Sequence, residues 1–211
     1  GSEMCIRDRN WCSTDYQIVG KRTEVQNLYN KFKKVIATDR SYEKDGTTFL
    51  PNSSWLGYVV KDILEIDPET EVIPCRGTIE WLQEELDIDE ANDTASFQLM
   101  TETAWSDCRK LFFTLMDKFD VQIFFIAEEL GCGIFQGNDE DGRYLTSRYI
   151  VDDFDEGMEY YSTFDEVAEI LEKLTGKIVY DFKQAEKLIE DCELDEKIAI
   201  HEIEYVSLSD F

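Results

Sequence analysis

TASFQLMTETAWSDCRKLFFTLMDKFDVQIFFIA, residues 94–127, changes its apolar period twice. Thr94 to Thr103 alternates and predicts a strand of an antiparallel sheet. Ser106 is placed to cap the helix that follows, whose apolar stripe is Leu111, Phe112, Leu115, Met116 and Phe119. Val121 to Ala127 is then an apolar run of strand length.

The same alternation of periods occurs upstream. WCSTDYQIV, residues 11–19, is rich in aromatic and β-favouring residues and stops at Gly20, so it predicts a strand. Thr23 and Gln26 have capping-box spacing before a helix that carries Val25, Leu28, Tyr29, Phe32, Val35 and Ile36 on one face. Arg40 to Asn52 is polar, contains Gly46 and Pro51, and predicts a loop. Trp55 to Ile66 predicts a helix stopped by Pro68, and residues 37–72 read as an insertion. VIPCRGTIEWLQE, residues 72–84, is extended in pattern, and Leu86 to Asp93 predicts an acidic loop. The order strand, helix, strand, strand, helix, strand over residues 10–128 is the split βαβ, or ferredoxin-like, arrangement, with both helices expected on one face of an antiparallel sheet.

Residues 129–211 are expected to add an α+β extension. Gly133–Gln136 and Tyr144–Val151 bracket the turn GNDEDG and predict a hairpin. Thr163 with Glu166, and Asp181 with Gln184, mark the starts of two helices, the first closing at Gly176. Ile198 to Val206 predicts a final strand. At the other end, Gly1 resembles the remnant of a cleaved tag and Ser2–Arg9 a translated sequencing adapter of the kind found at the ends of metagenomic gene predictions. Residues 1–9 are therefore set aside, and the natural chain is expected to begin near Asn10.

Composition narrows the function classes. The 211 residues are 43% apolar and 13% aromatic, which suits a packed core rather than disorder. No apolar run approaches the roughly 20 residues that span a bilayer, and no signal peptide is recognisable, so a cytosolic protein is expected. The six cysteines are scattered without a CxxC pair and accompany a single histidine, His201, so neither a zinc site, another metal nor a cofactor is expected. The net charge is −26 and uneven: residues 1–40 carry 8 basic and 5 acidic side chains, residues 41–150 carry 8 and 23, and residues 151–211 carry 5 and 19. Such a field repels nucleic acid and anionic membranes and favours basic partners.

Two stretches resemble a known family. Asn10-Trp11-Cys12-Ser13, opening a strand that ends at Gly20, and FQLMTETAWSD, residues 97–107, resemble the YubB-like ferredoxin-like proteins of plasmids, phages and bacteria. Phe119, Val121, Glu128, Glu129, Gly131, Phe135 and Gly137 follow at a distance that resembles that family's glutamate–glycine hairpin. Arg76-Gly77-Thr78 with Trp81 stands where the family has a tryptophan-glycine-threonine-lysine-tryptophan motif, but Arg76 replaces the first tryptophan and no lysine is present. The resemblance implies the fold named above; it does not point to any particular activity, because that family's function is not established.

The remaining candidates are clusters of charge. Glu84, Glu85, Asp87, Asp89 and Glu90 form the densest acidic group, and Asp139, Glu140 and Asp141 the second. Neither has calcium-loop spacing, so solvated loops are the default and a partner-binding surface is the functional alternative. Trp11, Trp81 and Trp105 are expected to pack in the core or on a sheet face, and His201 to play a structural part in the last strand. No phosphate-binding glycine loop is present. The expected function is that of a non-enzymatic accessory protein, possessed by a mobile element or its host, that binds a basic protein through acidic surface. Mimicry of nucleic-acid charge is its sharpest form. The alternative from another class is a hydrolase or transferase whose carboxylates converge in a cleft.

Overall fold

Alternation along β1 (Trp11–Lys21) buries Cys12, Thr14, Tyr16 and Ile18 on one face, and the first half of the chain is assembled on that face. A computed structural model describes residues 11–67 and 72–211; the leader 1–9, Asn10 and Pro68 lie outside the described residues. The chain divides into two compact units, one of residues up to 134 together with 206–211, the other of residues 135–205. Among the described residues no helix is long and apolar enough to cross a membrane.

In the first unit β1 leads into α1 (Arg22–Ala37), a short hairpin of β2 (Tyr42–Lys44) and β3 (Thr47–Phe49), and α2 (Leu56–Val59) with a π-helical turn over Val60–Leu64. Then come β4 (Gly77–Leu82), β5 (Asp87–Asp89), β6 (Thr94–Ala104), α3 (Arg109–Phe119) and β7 (Gln122–Glu129). The strands lie in the order β4-β6-β1-β7, every neighbouring pair antiparallel, with β5 pairing further along β6. Cross-strand register brings Tyr16, Leu99 and Phe125 side by side, and likewise Ile18, Phe97 and Ile123. The Tyr16 ring stacks on Phe112 of α3 with centroids 3.6 Å apart, while Phe97 meets Tyr29 and Phe32 of α1 at 5.2 and 6.1 Å. Both helices therefore cover the same face.

Several local expectations change. α1 starts at Arg22, one residue before Thr23, so the Thr23 hydroxyl cannot cap; the Arg22 N–H donates instead to the Asp93 carbonyl. Ser106 does not cap α3, whose first turn begins after Cys108. The loop expected over 40–52 contains the β2–β3 hairpin, turned by Asp45 and Gly46 at φ 51° and 74°, as a two-residue hairpin loop of this handedness requires. The helix expected over 55–66 is one α-turn and one π-turn, ended by Glu65 at φ 62°. Gly77 has a reason of its own: a Cβ there would fall 2.3 Å from the Glu102 carbonyl, so only glycine lets β4 lie this close to β6.

The second unit holds β9 (Tyr149–Asp153), β10 (Gly157–Tyr161) and β11 (Ile198–Glu202), paired antiparallel as β10-β9-β11. α4 (Phe164–Thr175) and α5 (Phe182–Asp191) supply Val167, Leu171, Leu188 and Ile189 to its core. The Thr163–Glu166 capping box forms, Gly176 closes α4 at φ 71°, and Asp181 accepts the Gln184 N–H. The expected hairpin about 137–142 does not: β8 (Ile134–Gly137) runs parallel to β12 (Glu204–Tyr205), and β9 takes β10 as its hairpin partner.

His201 of β11 stacks on Phe135 with centroids 3.8 Å apart, and its Nε2 is buried with no hydrogen-bond partner among the described residues. Burial pushes its pKa below the ordinary histidine value, although Asp152 pulls the other way. The unfolded chain thus binds the proton more readily, and stability falls as pH drops through about 6.5, the unfolded value. Urea midpoints of the wild type should fall between about pH 7.5 and 5.5 relative to those of His201→Phe, and parallel midpoints would show that the imidazole is not held neutral. In the first unit, Phe112→Ala removes the ring under Tyr16 and should lower unfolding free energy by about 3–5 kcal/mol in the same assay; a loss below about 1 kcal/mol would mean the two rings are not packed.

Candidate functional site

Gln83 to Glu90 does not form the acidic loop expected for Leu86–Asp93. A bulge at Glu80 shifts the register of β4 against β6, the Gln83 N–H then donates to the Gln98 carbonyl at 3.0 Å, and the Gln83 side-chain oxygen accepts the Gln98 N–H at 2.9 Å. The segment resumes pairing as β5, where Asp87 and Asp89 stand opposite Ser96 and Thr94. It is clamped from α1: the Tyr29 hydroxyl donates to the carbonyls of Gln83 and Glu84, and Lys33 Nζ donates to the Glu84 carbonyl at 3.2 Å.

Between this edge and the last turn of α1 lies an open groove of about 580 Å³. Ile36, Ala37, Ile79, Trp81 and Leu82 make its apolar surface, and Lys33, Glu80, Glu84 and Glu85 its charged one. The C-terminal end of α1 adds the negative end of a helix dipole. Lys33 opposes this, but its ammonium is engaged by the Glu84 carbonyl and lies 5.3 Å from the centre of the Tyr29 ring. The arrangement can accept a cation with an apolar neighbour.

The acidic residues singled out from the sequence separate into different tasks. Glu84 and Glu85 are exposed at the groove, joined there by Glu80, which the sequence reading passed over although it stands in the alternating stretch before them. Asp87 accepts the Gln83 side-chain amide at 3.0 Å. Asp89 holds the turn into β6, accepting the Asn92 side-chain amide and the N–H groups of Ala91 and Asn92, which keep its carboxyl below the usual range. Glu90 pairs with Arg22 at 2.9 Å.

In the second unit Asp139 departs from the solvated loop expected of it. It is buried, and its carboxylate accepts the N–H groups of Arg143, Tyr144 and Leu145 at 3.1, 2.7 and 2.8 Å. Burial opposes ionisation, yet those three donors and Arg148 outweigh it and hold the carboxyl below its ordinary value. Glu140 and Asp141 remain exposed, Asp141 paired with Arg143 at 2.9 Å.

The tryptophans are not core residues: Trp11, Trp81 and Trp105 are 42%, 46% and 54% exposed. Trp105 also has φ 77°, a region bulky side chains rarely adopt, in the turn between β6 and α3. Cys12 and Cys108 are buried hydrophobes. Burial pushes their thiols up to about 11 and about 12, so neither supplies a thiolate nucleophile. Buried Glu129 is committed to a turn, accepting the N–H groups of Gly131 and Cys132.

Asp139→Ala should destabilise the second unit by about 2 kcal/mol at neutral pH, because three part-buried N–H groups lose a charged acceptor. That difference should shrink as pH falls through the depressed carboxyl pKa, where the native carboxylate is protonated. Glu140→Lys should stay within about 0.5 kcal/mol, so equal effects in urea titrations of the two variants would overturn the distinction. Compared with protein-family models, with curated proteins and with solved structures, the chain finds no match in any of the three.

Proposed function

We propose that this protein is a non-enzymatic binding module, cytosolic and of the ferredoxin-like type that its sequence resembles in the YubB-like proteins of mobile elements and bacteria. It takes up a basic segment of a partner protein at the β4–β5 edge. The strand order β4-β6-β1-β7 with both helices on one face supports the resemblance. The single observation that carries the binding reading is the groove, in which Glu80, Glu84 and Glu85 surround an apolar surface of Ile36, Ala37 and Leu82. A net charge of −26 favours the approach of a cationic partner and disfavours that of nucleic acid. A basic arm of a protein that otherwise contacts phosphates is the partner class that fits best.

The division of tasks among the carboxylates selects the variants. Asp89 and Glu90 hold local structure, so reversing them would disturb the fold as well as the charge. Glu84→Lys with Glu85→Lys leaves those contacts in place. An arginine- and lysine-rich synthetic peptide should bind the wild type, and raising salt from about 50 mM to about 0.5 M should weaken binding about tenfold, because exposed charges are screened over shorter distances. The double variant should weaken it by a similar factor at low salt, whereas Glu140→Lys with Asp141→Lys should not. Binding indifferent to both salt and the groove substitutions would overturn the proposal, as would equally tight binding of duplex DNA.

A further inference from the structure

We infer that the cationic segment binds as an added β-strand on the free edge of β4, alternating apolar and basic residues along its length. This rests on the reading of the groove just given and adds the conformation and sequence pattern of the ligand.

The protein's own chain begins such an addition. Trp55 forms an isolated antiparallel bridge with Thr78, and the Ile79 N–H donates to the Ser54 carbonyl at 2.9 Å. The chain then turns into α2 at Leu56 and leaves the edge. Beyond that point β4 is an edge strand, and among the described residues nothing pairs with it on its outer side. Gln83 points its N–H inward to Gln98, and successive residues of a strand direct their N–H and C=O groups to opposite sides. The N–H and C=O of Leu82 therefore face outward, into the groove that Leu82 also lines. An edge left in this state is a template for another strand.

Charge and side-chain alternation specify which strand. The Leu82 side chain stands opposite Leu99 and packs towards the core, on the side of Ile36 and Ala37, whereas Trp81 stands opposite Met100 on the other face. An added strand with period two thus sets its apolar residues over Leu82, Ile36 and Ala37. Its intervening residues fall on the side of the exposed Trp81 ring, where lysine or arginine gains both the ring face and the negative field of Glu80, Glu84 and Glu85. A second copy of this chain is a poor occupant, because it would bring the same carboxylates against their like. An amphipathic basic helix could use the charge but not the outward groups of Leu82.

The test uses the intact chain and two capped synthetic peptides of identical composition, one with lysine and valine alternating, the other with the same residues ordered for an amphipathic helix. Binding is followed by calorimetry and by amide hydrogen exchange at Leu82. The alternating peptide should bind more tightly, slow exchange at Leu82 by about tenfold or more, and leave exchange at Gln83, already bonded to β6, within about twofold. Glu84→Lys with Glu85→Lys should weaken its binding about tenfold at low salt. If the alternating peptide binds and is weakened by those substitutions but Leu82 exchange is unchanged, strand addition is overturned while the acidic groove stands. If the substitutions leave binding unchanged, the groove reading itself fails. Tighter binding of the helical peptide, or no saturable binding of the alternating one, also overturns the inference.

Discussion

From Trp11 opposite Ala104 to Lys21 opposite Thr94, β1 and β6 pair in unbroken register, and the first unit takes its positions from that ladder. One end of it places Asp93, whose carbonyl receives the first N–H of α1. The other end places Thr103, whose hydroxyl donates to the Ser106 carbonyl in the turn that leads to α3. Outside the ladder, β4 can approach only because Gly77 has no side chain to meet Glu102 and Thr103. A slip of one residue would move Tyr16 and Ile18 to the opposite face from Phe97 and Leu99, so the rings of α1 and α3 could no longer both be met on one face.

The edge of this sheet carries charge, and charge does two things there. Like carboxylates on the edges of two copies keep those edges apart, which is one way proteins avoid unwanted strand pairing. In the binding mode proposed above, the same carboxylates supply the field that admits a strand of opposite sign, so protection against self-association and selection of a partner would come from one set of side chains. Not every carboxylate on the edge is available: Asp87, Asp89 and Glu90 are engaged by their own neighbours and Glu80 accepts the Thr78 hydroxyl, which leaves Glu84 and Glu85 as the uncommitted pair at the groove.

What could be read in the sequence was what depends on periodicity over many residues. The alternation in Thr94–Ala104 and the stripes of α1 and α3 announce themselves because each repeats several times. Single-residue devices were less legible. Thr23 and Gln26 have the spacing of a capping box, but the ladder starts α1 at Arg22, two residues earlier than a cap at Thr23 would, and makes the hydroxyl useless as a cap. Gly137 to Gly142 looks like a hairpin turn, yet the buried Asp139 carboxylate gathers three N–H groups and makes it a compact loop. The Asp45–Gly46 hairpin carried a readable signal that its polar surroundings obscured. At the groove, Glu84 and Glu85 stood out as charge, whereas Glu80 and Leu82 matter only because β4 ends a sheet, and strand order is a property of the whole chain rather than of any window within it.

The parallel pairing of β8 with β12 has a bearing on how this chain could have been assembled. Gln136 stands opposite Glu204 and Gly137 opposite Tyr205, so the second unit starts and finishes with its two ends side by side. Val206–Phe211 then contribute Leu208 to the first unit's core and Phe211 as a neighbour of Phe113. A segment whose ends already meet can be gained or lost at a surface turn for little more than the entropy of closing a short loop, which grows only slowly with length. The second unit thus has the architecture of a cassette: a stretch of chain whose entry and exit are joined by a hydrogen-bonded clasp.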